Sequence, residues 1–148
     1  MKKIVLVLIF AISLFANENY KISTEIEVSG LVENNIKLDV KELEKMSYFK
    51  SGSTPVVCMS GETKDNVESY EGVLLRDIVE KAILKVNSRK EYNNIYFKVI
   101  STDGYEAIFS YNEVFNTKLG DNIIVFYKKN GNYLEDYHSL KLLIFLLL

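Results

Sequence analysis

Cysteine, histidine, proline and tryptophan are nearly missing from this chain, which has one Cys, one His, one Pro and no Trp in 148 residues. A lone cysteine, Cys58, excludes an internal disulfide, so its thiol is free, shared with a partner chain or bound to a ligand. One Cys and one His also exclude a structural zinc site, which takes four ligands. Positive charge is not in excess. The 18 Lys and Arg stand against 20 Asp and Glu, with no basic stripe, and this argues against a nucleic-acid partner. Arginine is scarcer still, limited to Arg76 and Arg89, while Lys, Asn and Ile abound; that bias points to an AT-rich bacterial genome. No apolar run reaches the roughly 20 residues that span a bilayer.

What the chain does have starts at its first residue. Lys2 and Lys3 precede an apolar run from Ile4 to Phe15, closed by the small residue Ala16 and then by polar Asn17, Glu18 and Asn19. This order predicts a secretory signal over residues 1–16, and a periplasmic or secreted domain over 17–148 with no membrane span of its own. An uncleaved anchor is the competing reading. With lysines and no arginine, the signal resembles that of the general route for unfolded chains. A hydrophobic fraction of 48%, with ten Tyr and eight Phe, suits a packed globular domain.

Alternation predicts a strand over 20–28 and a second over 36–40, with a helix over 39–46 capped by Asp39. A loop over 51–55 leads to a short strand over 56–59, and the polar stretch 60–69 reads as a surface loop. Residues 72–85 carry the clearest helical stripe, Leu75, Ile78, Val79, Ala82, Ile83 and Val86. Strands follow over 96–100 and 106–110, joined by a turn at Asp103-Gly104. A short helix or turn comes next over 112–115. A buried strand over 122–127 and an Asn130-Gly131 hairpin turn follow. The last segment, 140–148, is either a buried terminal strand or the product of a frameshift. Together these elements predict one α+β domain with mixed, short-stranded sheets and two main helices.

Five segments in order resemble the molybdopterin-binding oxidoreductase domain of the sulfite oxidase family. They are Ser29-Gly30-Leu31-Val32 with Leu38 and Leu43; Val57-Cys58-Met59-Ser60-Gly61; Tyr70 to Val79; Ser101-Thr102-Asp103-Gly104-Tyr105; and Ile124 to Tyr127 with Asn130 to Leu134 and His138. The resemblance covers nearly all of residues 17–148. It implies a molybdenum cofactor with the Cys58 thiolate as metal ligand, a soft anionic donor suited to an oxidised metal. Ser60 and Gly61 would lie beside it, Asp77 and His138 would approach the pterin, and Lys141 is the nearest match, at shortened spacing, to an Arg that grips its phosphate. Other readings stay open at each position. Asp77 complements a helix N-terminus, Asp103-Gly104 is a turn signal, Tyr70 and Tyr105 are packing residues, and His138 is a surface residue.

The chain also departs from the family pattern. Glu62-Thr63-Lys64 follow Gly61 where the family has Gly-Asn and basic residues, residues 17–29 hold no basic and histidine segment, and residues 142–148 replace a Pro-rich close. Two functions are therefore expected in competition. One is a small exported oxidoreductase passing electrons to an unknown redox partner. The other is a cofactor-free module on the same fold that binds a ligand or a protein.

Overall fold

The computed structural model describes residues 25–101, 104–134 and 140–146. The expected signal over 1–16, His138 and the Thr102-Asp103 turn residues lie outside them.

Strand β1 (Glu25–Gly30) pairs antiparallel with β2 (Ile36–Asp39), as the alternation predicts, and Ile26, Val28 and Leu38 are buried. Asp39 then caps α1 (Val40–Leu43): its carboxylate accepts from the Glu42 amide at 2.8 Å while the Glu42 side chain accepts from the Asp39 amide. This helix is a single turn, shorter than the expected 39–46. Strand β3 (Phe49–Lys50) follows, then a hairpin of β4 (Thr54–Val57) and β5 (Thr63–Val67). Strand β5 corrects the loop expected over 60–69. Four of its five residues are exposed, so it has no apolar face for alternation to reveal, and pairing with β4 alone holds its backbone.

The main helix starts later than its stripe predicts. Gly72, Val73 and Leu74 belong to strand β6 (Tyr70–Leu74), and α2 runs from Leu75 to Ala82. The chain passes from strand to helix with no polar cap, and the Leu75 amide is instead satisfied by the Ile123 carbonyl at 2.8 Å. Leu75, Ile78, Val79 and Ala82 are buried as their spacing requires, but Ile83 ends the helix and is half exposed. A 3-10 turn (Glu91–Asn94) leads to β7 (Ile95–Ser101), β8 (Glu106–Ser110) and α3 (Tyr111–Asn116), the last capped by a Ser110–Glu113 box. A second 3-10 turn (Gly120–Asn122) precedes β9 (Ile124–Lys129). Tyr127 is its one buried residue and Phe126 is exposed, so it is less buried than the strand expected. Asn130 and Gly131, both at positive φ, turn it into β10 (Asn132–Tyr133), as a type I′ hairpin demands.

The described strands form three sheets. The largest has the order β2-β1-β11-β7-β8, where β11 (Leu140–Leu146) is its central strand, parallel to β1 and antiparallel to β7. Within the terminal segment, residues 140–146 form a strand. The second sheet is β10-β9-β6-β3, and the third is the β4–β5 hairpin. Ile26, Val28, Leu38, Ile95 and Phe97 of the first sheet, Val73 and Tyr127 of the second and the α2 stripe make one core. Burying each such aliphatic side chain stabilises the fold by about 1.5–3 kcal/mol before entropy is charged. No helix among the described residues is long and apolar enough to cross a membrane.

Candidate functional site

Cys58 lies one residue past β4, at the tip of the hairpin. Its amide donates to the Glu62 carbonyl at 3.0 Å and its carbonyl accepts from the Gly61 amide at 2.9 Å, which closes a tight loop over Met59, Ser60 and Gly61. Gly61 adopts φ +84°, a conformation that disfavours a side chain. The thiol is partly buried and free, and its sulfur lies 2.8 Å from the Ser60 hydroxyl. That hydroxyl, and next the Ser60 amide, hold the thiol below its ordinary pKa by hydrogen-bonding to the thiolate. Replacing Ser60 with Ala is expected to move the pH-rate curve for iodoacetamide alkylation of Cys58 to higher pH, slowing the reaction severalfold at neutral pH. An unchanged curve would show that the hydroxyl does not act on the sulfur.

The base of the hairpin is tied firmly to the second sheet. The Asn130 side-chain oxygen accepts from the amides of Glu68 and Ser69 at 2.8 and 3.2 Å, Lys129 pairs with Asp65, and Val67 is fully buried. Its tip is open and carries two exposed apolar side chains among polar neighbours: Val57 is 54% exposed and Met59 entirely so.

Asp77 lies in the first turn of α2, a position that suits the helix dipole, and no hydrogen bond or ion pair joins it to Cys58 among the described residues. The backbone of Lys141 sits within β11, level with Glu27 and Ile100. Ser60 and Gly61 hydrogen-bond to Cys58, as their neighbouring positions in the chain allow. Tyr70 packs on Phe126 at 4.5 Å, whereas Tyr105 is largely exposed.

A pterin phosphate needs several convergent cations or amides. Some of the described cations are engaged in ion pairs, while others, Lys64 of β5 among them, are exposed and in none. Lys50 pairs with Glu71, Arg76 with Asp121, Lys128 with Glu44 and Lys129 with Asp65. No cluster of three or more metal-ligating side chains occurs among the described residues. The Cys58 thiolate is of the donor type that suits a soft metal.

A second concavity was not foreseen. A pocket of about 270 Å³ lies among α2, the Glu91–Asn94 turn and α3, walled by Tyr92, Tyr111 and Phe115 with Glu80 and Ile83 at α2's end. Tyr111 and Phe115 are four apart on a helix, a signal legible in sequence; the arrival of Tyr92 from another segment is not.

No protein-family model matches the chain, and no curated protein matches it. Among solved structures it is similar to the sulfane dehydrogenase SoxCD from Paracoccus pantotrophus, with a TM-score of 0.59 and 14% sequence identity. The similarity covers 84% of this chain but 39% of that one, so the chain spans well under half of that protein's length. At such identity the likeness is one of fold, and it agrees with the α+β domain expected from the element pattern and with the fold that the family resemblance implies.

Proposed function

We propose that this chain is an exported binding module built on the sulfite-oxidase-type fold, which uses the β4–β5 hairpin tip to meet a partner protein. The observation that carries the reading is the tip itself. Exposed Val57 and Met59 stand on either side of Cys58 in the chain, on a hairpin whose base is tied to the second sheet. Apolar side chains presented at a fixed position are what a protein surface recognises. Export rests on the basic, apolar and small order of residues 1–16.

A second reading has its own support. The thiol held toward its thiolate form by Ser60, on the fold of a protein named as a dehydrogenase, suits a molybdenum ligand. Cys58 would then hold the metal, with Ser60, Gly61, Asp77, His138 and Lys141 as the residues facing the cofactor, which would supply the redox chemistry. Elemental analysis separates the two. After co-expression with molybdopterin synthesis, the purified chain is expected to carry no molybdenum. A content near one atom per chain, abolished in Cys58→Ser, overturns the binding-module reading.

A further inference from the structure

We propose that the aromatic pocket at the end of α2 is a binding site for a small organic ammonium ion with an apolar arm. It is built from elements other than the Cys58 hairpin and does not depend on what that hairpin does. Three rings form its wall. Tyr92 and Tyr111 meet at 4.8 Å with their planes tilted by 43°, and Tyr111 stacks on Phe115 at 4.6 Å and 16°. Aromatic faces carry negative electrostatic potential and attract ammonium groups.

The charge at the rim has the matching sign. Glu80 is exposed, lines the pocket and takes part in no ion pair among the described residues, unlike Glu44, Glu71 and Glu106. None of the neighbouring lysines, Lys81, Lys85 and Lys90, lines the pocket. Burial first, then Tyr92 and Glu80, raise the Tyr111 phenol above its ordinary pKa, which places the Glu80 carboxylate within electrostatic reach of that ring. At about 270 Å³ the space is at the small end for ligand pockets, which limits the occupant to a compact molecule.

One lining residue carries strain. Ile83 has φ 59°, a conformation that β-branched residues rarely adopt, and remains 53% exposed. It is held there because its carbonyl accepts from the Glu33 amide at 2.8 Å and the next residue, Leu84, bridges to Val32. An apolar side chain kept half exposed at a strained position beside three rings provides a surface for the ligand's arm.

Phenethylammonium and its neutral analogue 2-phenylethanol test the site by titration calorimetry and by NMR shifts of the tyrosine rings. The cation is expected to bind about tenfold more tightly than the alcohol, with shifts at Tyr92 and Tyr111. Glu80→Gln, a change at an exposed position, is expected to remove that preference and leave alcohol binding unchanged. Equal binding of the two compounds, no binding of either at 10 mM, on the order of the weakest useful affinity, or a preference that survives Glu80→Gln would each overturn the proposal. A chain that carried molybdenum and still bound the ammonium ion would overturn the binding-module reading alone.

Discussion

Replacing Gly72 with Ala is expected to remove about 3 kcal/mol or more of stability, a large part of the roughly 5–15 kcal/mol that holds a domain of this size together. The cause is a backbone approach. A Cβ built on Gly72 would lie 2.2 Å from the Val125 carbonyl oxygen and 2.6 Å from the Phe126 Cα, well inside van der Waals contact. Neither atom can rotate away, because both belong to the backbone of β9. Relief requires β6 and β9 to separate where Gly72, Val73 and Leu74 face Phe126, Val125 and Ile124, just beyond a bulge that already strains the pairing. Gly52 provides the control: nothing lies within 4 Å of a Cβ there, so Gly52→Ala should change stability by no more than about 0.5 kcal/mol. Urea unfolding of the three proteins tests this. A Gly72→Ala midpoint equal to that of Gly52→Ala would mean that the two strands are not packed as closely as described.

The second large effect falls on Phe97. Its side chain is fully buried in β7, with ring centroids 6.1 Å from Phe115 and 6.5 Å from Tyr111. Phe97 therefore joins the five-stranded sheet to the seat of α3. Truncation to Ala is expected to cost about 3–5 kcal/mol, the lost transfer energy plus the cavity left between three elements. Phe97→Leu keeps most of the volume and should cost about 1.5 kcal/mol or less. Thermal melts should drop in that order. Because Phe97 supports the rings behind the α2 pocket, the Leu variant should also broaden the Tyr111 resonances while the chain remains folded. Equal melting temperatures for the Ala variant and the parent would show that Phe97 is not central to the core.

The parts of this fold that local chemistry decides are readable from its residues. Asp39 with Glu42 three residues on announces a helix start, and Asn130-Gly131 announces a hairpin; both are satisfied within a few residues. The α2 stripe is legible for the same reason, because one helix face meets one core. Segments decided by distant partners are not. Thr63 to Val67 is a strand because β4 lies beside it, although its polar side chains give no periodic signal. Val73 and Leu74 continue an apolar run into Leu75, so nothing local marks where strand becomes helix; pairing with β9 decides it. At the candidate site, proximity in sequence gave Cys58, Ser60 and Gly61 together. The aromatic pocket needed three segments to converge, and no one segment carries that information.

The placement of β11 has a consequence in time. Glu27 and Lys141 are register partners more than a hundred residues apart, and β11 separates β1 from β7 in the sheet. The β1–β2 and β7–β8 hairpins can each form from adjacent residues, but nothing joins them edge to edge until residues 140–146 slot between them. A chain emerging from its N-terminus therefore waits with two open sheet edges facing a gap. The strand that closes the gap is the last described element to arrive, so the largest sheet assembles late and slowly, as non-local pairing does. Until then, those two edges are where a misplaced strand from another copy could dock.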